Sequence, residues 1–229
     1  MEWLKKKAGS VVPVQSLIPL LSCFFLNDLV YFVFRMFVRD AYHYDFTTPL
    51  DRMVPFQPAW VSIYLVCYLF WVVNYLMVGR LEKEHFYRFV TADLLSRLVC
   101  GLFYLFLPTT NVRPEVTGTG IWELLMAWLY AADEPTNLFP SIHCLTSWFC
   151  YIGIRGQKKI PRWYQGFSLI FAILVCLSTQ FTKQHYLVDL IGGVALAEGS
   201  WRLCSSPGLY RPVMNFFERV NQKVFGKRE

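Results

Sequence analysis

Four apolar runs constrain what this chain can become. Ser16 to Phe37, Ala59 to Val78, Phe89 to Leu107 and Gln165 to Phe181 each approach the roughly 20 residues that a helix needs to cross a hydrocarbon core of about 30 Å. A backbone in lipid must satisfy its own hydrogen bonds, so runs of this length become helices. Two further runs, Ser141 to Ile154 and Tyr186 to Leu203, are shorter or more polar and bring the expected number of spans to six. Charged residues make up 17% of the chain, against roughly 25% in soluble domains, which agrees with lipid as the solvent. The expectation is an all-α, polytopic membrane protein built as one domain over residues 1–229, with no internal repeat or low-complexity linker dividing it.

The basic residues set an expected orientation. In a six-helix topology, Lys5 to Lys7, the loops around Arg80 to Arg88 and Arg155 to Arg162, and the tail from Arg202 onward fall on one side; Arg39, Arg52, Arg113 and Lys183 fall on the other. The positive-inside rule then places both termini in the cytoplasm. The net charge of +6 is an orientation signal spread over separate loops, so a nucleic-acid partner is not expected. Lys5 to Lys7 before an apolar run could open a signal peptide, but the run continues to Phe37 without a small-residue cleavage site, so an uncleaved first helix is expected. The seven cysteines all lie within or at the ends of apolar runs and read as small buried hydrophobes.

The chemistry concentrates at the outer ends of these helices. In Leu138-Phe-Pro-Ser-Ile-His143, Pro140 and Ser141 read as the opening of a helix, whose first N–H groups favour an anion. Asn111-Val-Arg-Pro114 follows helix three on the same side, and Thr182-Lys-Gln-His-Tyr-Leu-Val-Asp189 leads into helix six. His185 and Asp189, four apart, share one helix face. A carboxylate under an imidazole holds one ring nitrogen as N–H and leaves the other as a nucleophile or base. His143 can then protonate a leaving alkoxide, while Arg113, Lys183 and the helix start at Ser141 neutralise a phosphate. His143, His185 and Asp189 could also form a metal site by residue type, but the neighbouring Arg and Lys would oppose a cation; no metal or other cofactor is expected.

Elsewhere the sequence reads structurally. Asp28, Asp93 and Arg97 lie within spans and need partners: Asp93 and Arg97 can pair on one face, and Asp28 can bridge to Arg97. Arg35 and Glu198, nearer the helix ends, can reach the interface. Val38 to Pro58 reads as a solvated outer loop, with His43 on the surface. Ile121 to Ala131 is too short to span and reads as a re-entrant or interfacial helix. In the tail 208–229, Val213, Phe216, Phe217, Val220 and Val224 form one apolar face, expected to lie along the cytoplasmic membrane surface.

Between residues 105 and 193 the chain resembles the type 2 phosphatidic acid phosphatase superfamily, six-helix membrane phosphatases with three signature motifs. Arg113-Pro114 matches the end of the first motif, with Phe106 where the family has lysine. Pro140, Ser141 and His143 match Pro-Ser-Gly-His, with Ile142 in place of glycine. Ser178, His185 and Asp189 match the third motif, with Thr179 in place of arginine. The Phe-Pro-Ser-Ile-His and Lys-Gln-His-Tyr forms look more like the branch of inositol phosphorylceramide synthase and its bacterial relatives.

The resemblance implies that His185 forms a phosphohistidine, Asp189 orients it, His143 serves as acid and then base, and Arg113 and Ser141 bind phosphate oxygens, with Lys183 replacing a lost basic ligand. The expected activity is metal-independent hydrolysis of a phospholipid or isoprenoid phosphate at the extracytoplasmic face of the cell membrane. A transferase that passes a phospho-headgroup to a lipid alcohol would use the same residues. A non-catalytic lipid transporter would account for the missing bases at Phe106 and Thr179.

Overall fold

A computed structural model describes residues 13–226; Lys5 to Lys7 and the last residues of the tail lie outside the described part. The described chain is overwhelmingly helical. The helices are α1 (Val14–Val38), the short α2 (Pro49–Met53), α3 (Val61–Val78), α4 (Lys83–Phe106), α5 (Ile121–Ala132), α6 (Ile142–Ile154), α7 (Arg162–Phe181), α8 (Leu187–Leu203) and α9 (Pro207–Phe225). A two-residue parallel pairing, β1 (Tyr44–Asp45) with β2 (Thr109–Thr110), ties the two outer loops together.

Four helices are long and apolar enough to cross a bilayer: Val14–Val38, Pro58–Val78, Lys83–Phe106 and Arg162–Phe181. Helices α6 and α8 have 13 and 17 residues, so they extend about 20 Å and about 26 Å at about 1.5 Å per residue. The short α6 is the hub, packing on α3, α7, α8 and α4. Its Leu145, Phe149, Ile152 and Ile154 join Phe89, Tyr75 and Val175 in one continuous core. Two glycines allow this close packing. A Cβ on Gly193 would lie 2.6 Å from the Ser141 carbonyl, and one on Gly153 would lie 2.6 Å from Val78.

The charges inside the bundle resolve into one network. Arg97 donates to Asp93 at 2.8 Å and to the Thr146 hydroxyl at 2.8 Å, and Tyr75 donates to the same Asp93 oxygen at 2.8 Å, joining α3, α4 and α6. The bridge from Asp28 to Arg97 does not form: among the described residues Asp28 accepts from its neighbour Asn27 at 3.4 Å, and the Arg97 guanidinium is spent on Asp93 and Thr146. Glu198 pairs with Arg155 at 2.8 Å, and Arg35 pairs with Glu134.

The segment 39–60 is largely exposed, as read, but it is anchored to the bundle as a cap at one buried residue, Asp51. Asp51 is buried, closes a capping box with Thr48 and accepts the Leu187 N–H at 2.7 Å. Burial pushes the Asp51 carboxyl upward, but Thr48, Leu187 and Lys183 outweigh it and hold the pKa below its ordinary range. In the tail, α9 is confirmed as helical, but part of its apolar face is used inside the molecule. Phe217 stacks near Tyr87 and Tyr210 reaches Glu84, whereas Phe216 and Val224 remain exposed. Helix α5 spans Ile121–Ala132 as the pattern suggested, and lies against α3 and the turn at Pro58–Trp60.

Candidate active site

The site is assembled where α6 and α8 begin. Ser141 caps α6 by accepting the Cys144 N–H at 3.3 Å, so the helix proper starts at Ile142, after a cis Phe139–Pro140 peptide. The Ser141 N–H donates to the Asp189 carbonyl at 3.1 Å and locks the two helix starts together. Ser141 is fully buried, with both groups engaged in these structural bonds.

His185 occupies the turn between α7 and α8. Its Nδ1 lies 3.2 Å from Asp189 Oδ2, which also accepts the Tyr186 N–H at 2.9 Å. An ionised carboxylate can only accept, so Nδ1 carries the hydrogen and the lone pair resides on Nε2. Burial pulls the His185 pKa down, but the hydrogen bond and charge of Asp189 outweigh it and the net shift is upward from the ordinary 6.5.

The two imidazoles are neighbours, with ring centroids 6.0 Å apart and planes tilted by 53°. Rings this close can both border one phosphoryl group. His143 is held between two phenols that sequence reading missed. The Tyr64 hydroxyl lies 3.3 Å from Nδ1 and the Tyr68 hydroxyl 3.2 Å from Nε2, and the Tyr64 ring stacks on the imidazole at 4.3 Å. Tyr64, Tyr68 and Trp71 repeat at helical spacing along α3; that stripe was the one signal in the sequence, and it looks the same as an ordinary core face.

Arg113 reaches the site but is already engaged. It donates to the Asp133 carbonyl and to the Gln184 side-chain oxygen, lies 3.6 Å from the Asp133 carboxylate and rests over the Tyr130 ring, while its Nε has no partner. Gln184, next to His185, is 1% exposed and its Nε2 is unpartnered, so it offers free N–H groups beside that histidine. Lys183 points elsewhere: its ammonium donates to the carbonyls of Asp51 (2.8 Å) and Val54, strapping the cap to the turn that carries His185. The two positions lacking the family's bases also differ in kind. Phe106 is 75% exposed at the end of α4, whereas Thr179 is fully buried and returns its hydroxyl to the Cys176 carbonyl.

His185 separates two cavities. Toward the cap lies a basic one of about 460 Å³, lined by Arg52, Arg113 and Lys183 with Asp51. Toward α1, α3 and α5 lies one of about 340 Å³ that also contains His143 and is walled by aromatic side chains. Among the described residues, no group of three His, Cys, Asp or Glu stands close enough to hold a metal ion.

A model of the PAP2 superfamily matches residues 41–203, which spans the cap, both histidines and Asp189. The chain belongs to this superfamily. An uncharacterized protein of Methanocaldococcus jannaschii is 31% identical over 100 residues, a stretch that covers 44% of this chain and 39% of the archaeal one. The chain thus matches well under two thirds of that relative's length. No solved structure matches.

Proposed function

We propose that this PAP2-superfamily protein is a membrane lipid phosphatase working through a phosphohistidine. The observation that carries the reading is the neighbouring pair of imidazoles, 6.0 Å apart, one with its Nδ1 held by a buried carboxylate. His185 Nε2 attacks phosphorus and the bond from phosphorus to the ester oxygen breaks. His143 gives its proton to the departing alkoxide, which leaves as an alcohol. Water then attacks the phosphohistidine, yields its proton to His143, and the P–N bond breaks to release inorganic phosphate. Gln184 and Arg113 hold the equatorial oxygens, and Tyr68 fixes the orientation of His143. Lys183 acts on this site by holding the cap in place. Metal independence accords with using these side chains alone.

Six spans with both termini cytoplasmic would put the site on the extracytoplasmic side. The basic residues of the Arg80–Arg88 and Arg155–Arg162 loops and of α9 support this orientation. The substrate is a lipid carrying a phosphate or diphosphate.

One observation favours transfer to a lipid alcohol as a second reading. The cavity on the His143 side is edged by exposed Phe32, Tyr68 and Trp128, a lining better suited to lipid than to water. Phosphorus-labelled lipid phosphates offered to purified protein in mixed micelles, with and without chelator, test both. Free labelled phosphate, unaffected by chelator and abolished by His185→Ala, supports hydrolysis; label moving to a second lipid supports transfer. Full activity in His185→Ala overturns both, because removing a nucleophile costs about three or more orders of magnitude.

A further inference from the structure

At the C-terminal end of α1 a second basic place stands apart from the histidines. Phe32, Arg35, Met36 and Arg39 recur at intervals of three and four, and Arg39 keeps helical dihedrals as the C-cap, so all four share one face. With His43, Glu134 and Thr136 they border a cavity of about 410 Å³. Phe32 and Thr136 also line the chamber of His143, so the two spaces adjoin.

The charges there do not balance. Arg35 pairs with Glu134, whereas Arg39 makes no ion pair among the described residues. Asp40 follows in the chain but does not border the cavity. Two guanidiniums against one carboxylate leave one positive charge over. Thr136 Oγ1 is buried without a partner and can donate to an anion's oxygen. The apolar half of the face is equally unspent: Phe32 is 59% exposed and Met36 79%, on a helix long and apolar enough to span a bilayer. Arginines that only reach for the interface need no cavity between them. A pair one turn apart, above exposed apolar side chains, fits a phosphate ester with hydrocarbon beneath it.

We propose that an anionic phospholipid seats at this face, its phosphodiester between Arg35 and Arg39 and its chains along Phe32 and Met36. The single charge left over selects a headgroup with one net negative charge, such as that of phosphatidylglycerol. Phosphatidylcholine binds less well, because its quaternary ammonium returns a positive charge to the site.

Native mass spectrometry of the purified full chain in neutral detergent, with either lipid added, tests the seat. The wild type should retain one phosphatidylglycerol about fivefold more tightly than phosphatidylcholine, the effect of one charge near a membrane surface. Arg35→Gln and Arg39→Gln should each weaken phosphatidylglycerol by about fivefold. Glu134→Gln, which removes the competing carboxylate, should strengthen it by a similar factor, a gain that a misfolded variant could not produce. Arg162→Gln removes the same charge from an exposed position at the far end of α7 from His185, and should leave retention unchanged. Equal retention of the two lipids, or a loss in Arg162→Gln as large as in Arg39→Gln, overturns the proposal. Displacement of the lipid by glycerophosphate or inorganic phosphate at equal concentration overturns its lipid half. Lipid-free dimers that vanish in Arg39→Gln overturn it in favour of a second copy of the chain. None of these readouts involves turnover, so this seat and the phosphatase reading stand or fall separately.

Discussion

Replacing Asp189 with asparagine removes a charge and leaves the shape intact, and the local bonding determines how the site responds. Asp189 Oδ2 accepts two hydrogens, from His185 Nδ1 and from the Tyr186 N–H, while Oδ1 is buried with no partner. An asparagine can turn its oxygen or its NH2 group toward those donors. The NH2 choice sets N–H against the Tyr186 N–H and loses an acceptor at the start of α8, so the oxygen stays there and the Nδ1–H tautomer of His185 survives. The charge that stabilises the ring as it becomes cationic in the phosphohistidine disappears. A hydrogen bond to a charged group contributes about 1.5–3 kcal/mol, so kcat should fall roughly tenfold to 150-fold. This is far short of the ~10⁴-fold loss seen where a comparable substitution in a serine protease traps the wrong tautomer. The acid limb moves as well. Attack needs unprotonated His185, whose pKa is pulled down by burial and carried above 6.5 by Asp189. In the wild type, kcat/KM should therefore decline as the pH falls through a value above 6.5; without the carboxylate the largest upward influence on His185 is gone and the limb should shift to lower pH. Initial rates of phosphate release from pH 5 to 9 measure both. A loss beyond about 10⁴-fold, or an acid limb that does not move, refutes this account of His185.

Three other substitutions probe the framework. Arg97→Leu leaves Asp93 as a buried, unpaired carboxylate and should cost about 3–5 kcal/mol in unfolding experiments, with Asp93→Leu added as a second change restoring much of it. Gly193→Ala drives a Cβ into the Ser141 carbonyl, which cannot retreat without moving α6; about 1–3 kcal/mol of stability should go, and activity should fall because His143 shifts away from His185. Lys183→Met should free the cap, and proteolysis between residues 49 and 57 should accelerate by more than KM for a lipid phosphate changes, because the ammonium is occupied by the Asp51 and Val54 carbonyls.

Much of the fold was legible because apolar length and the requirement that lipid-embedded backbone bond to itself leave few choices; the helix limits at Val78, Ile154 and Phe181 coincide with the ends of the runs. The pairing of Asp93 with Arg97 was readable from its spacing. The attachment of the cap was not, because it depends on long-range bonds that no local pattern announces, among them the Leu187 N–H to Asp51, the Lys183 ammonium to the Asp51 carbonyl and the Gln57 N–H to the Phe181 carbonyl. Within the site, the contact between His185 and Asp189 was readable from a spacing of four. Tyr64 and Tyr68 did not stand out, because an aromatic stripe on an apolar helix is ordinary packing until the fold sets a histidine between two of its phenols, and Gln184 in the turn before α8 carries no spacing that marks it. Lys183 shows the opposite problem: a lysine two residues from a nucleophile reads as a phosphate ligand, yet its backbone takes a positive φ that sends the side chain to the cap.

Because His185 stands at the wall between an aromatic chamber and a basic one, a phosphatase at this site would have separate routes out for its two products. The alcohol is at home on the greasy side and can slip sideways among its neighbours, whereas the freed anion is drawn to the opposite side, past Arg113 and Arg52. Sorting by polarity at a single imidazole would let turnover proceed without either product crossing the other's path.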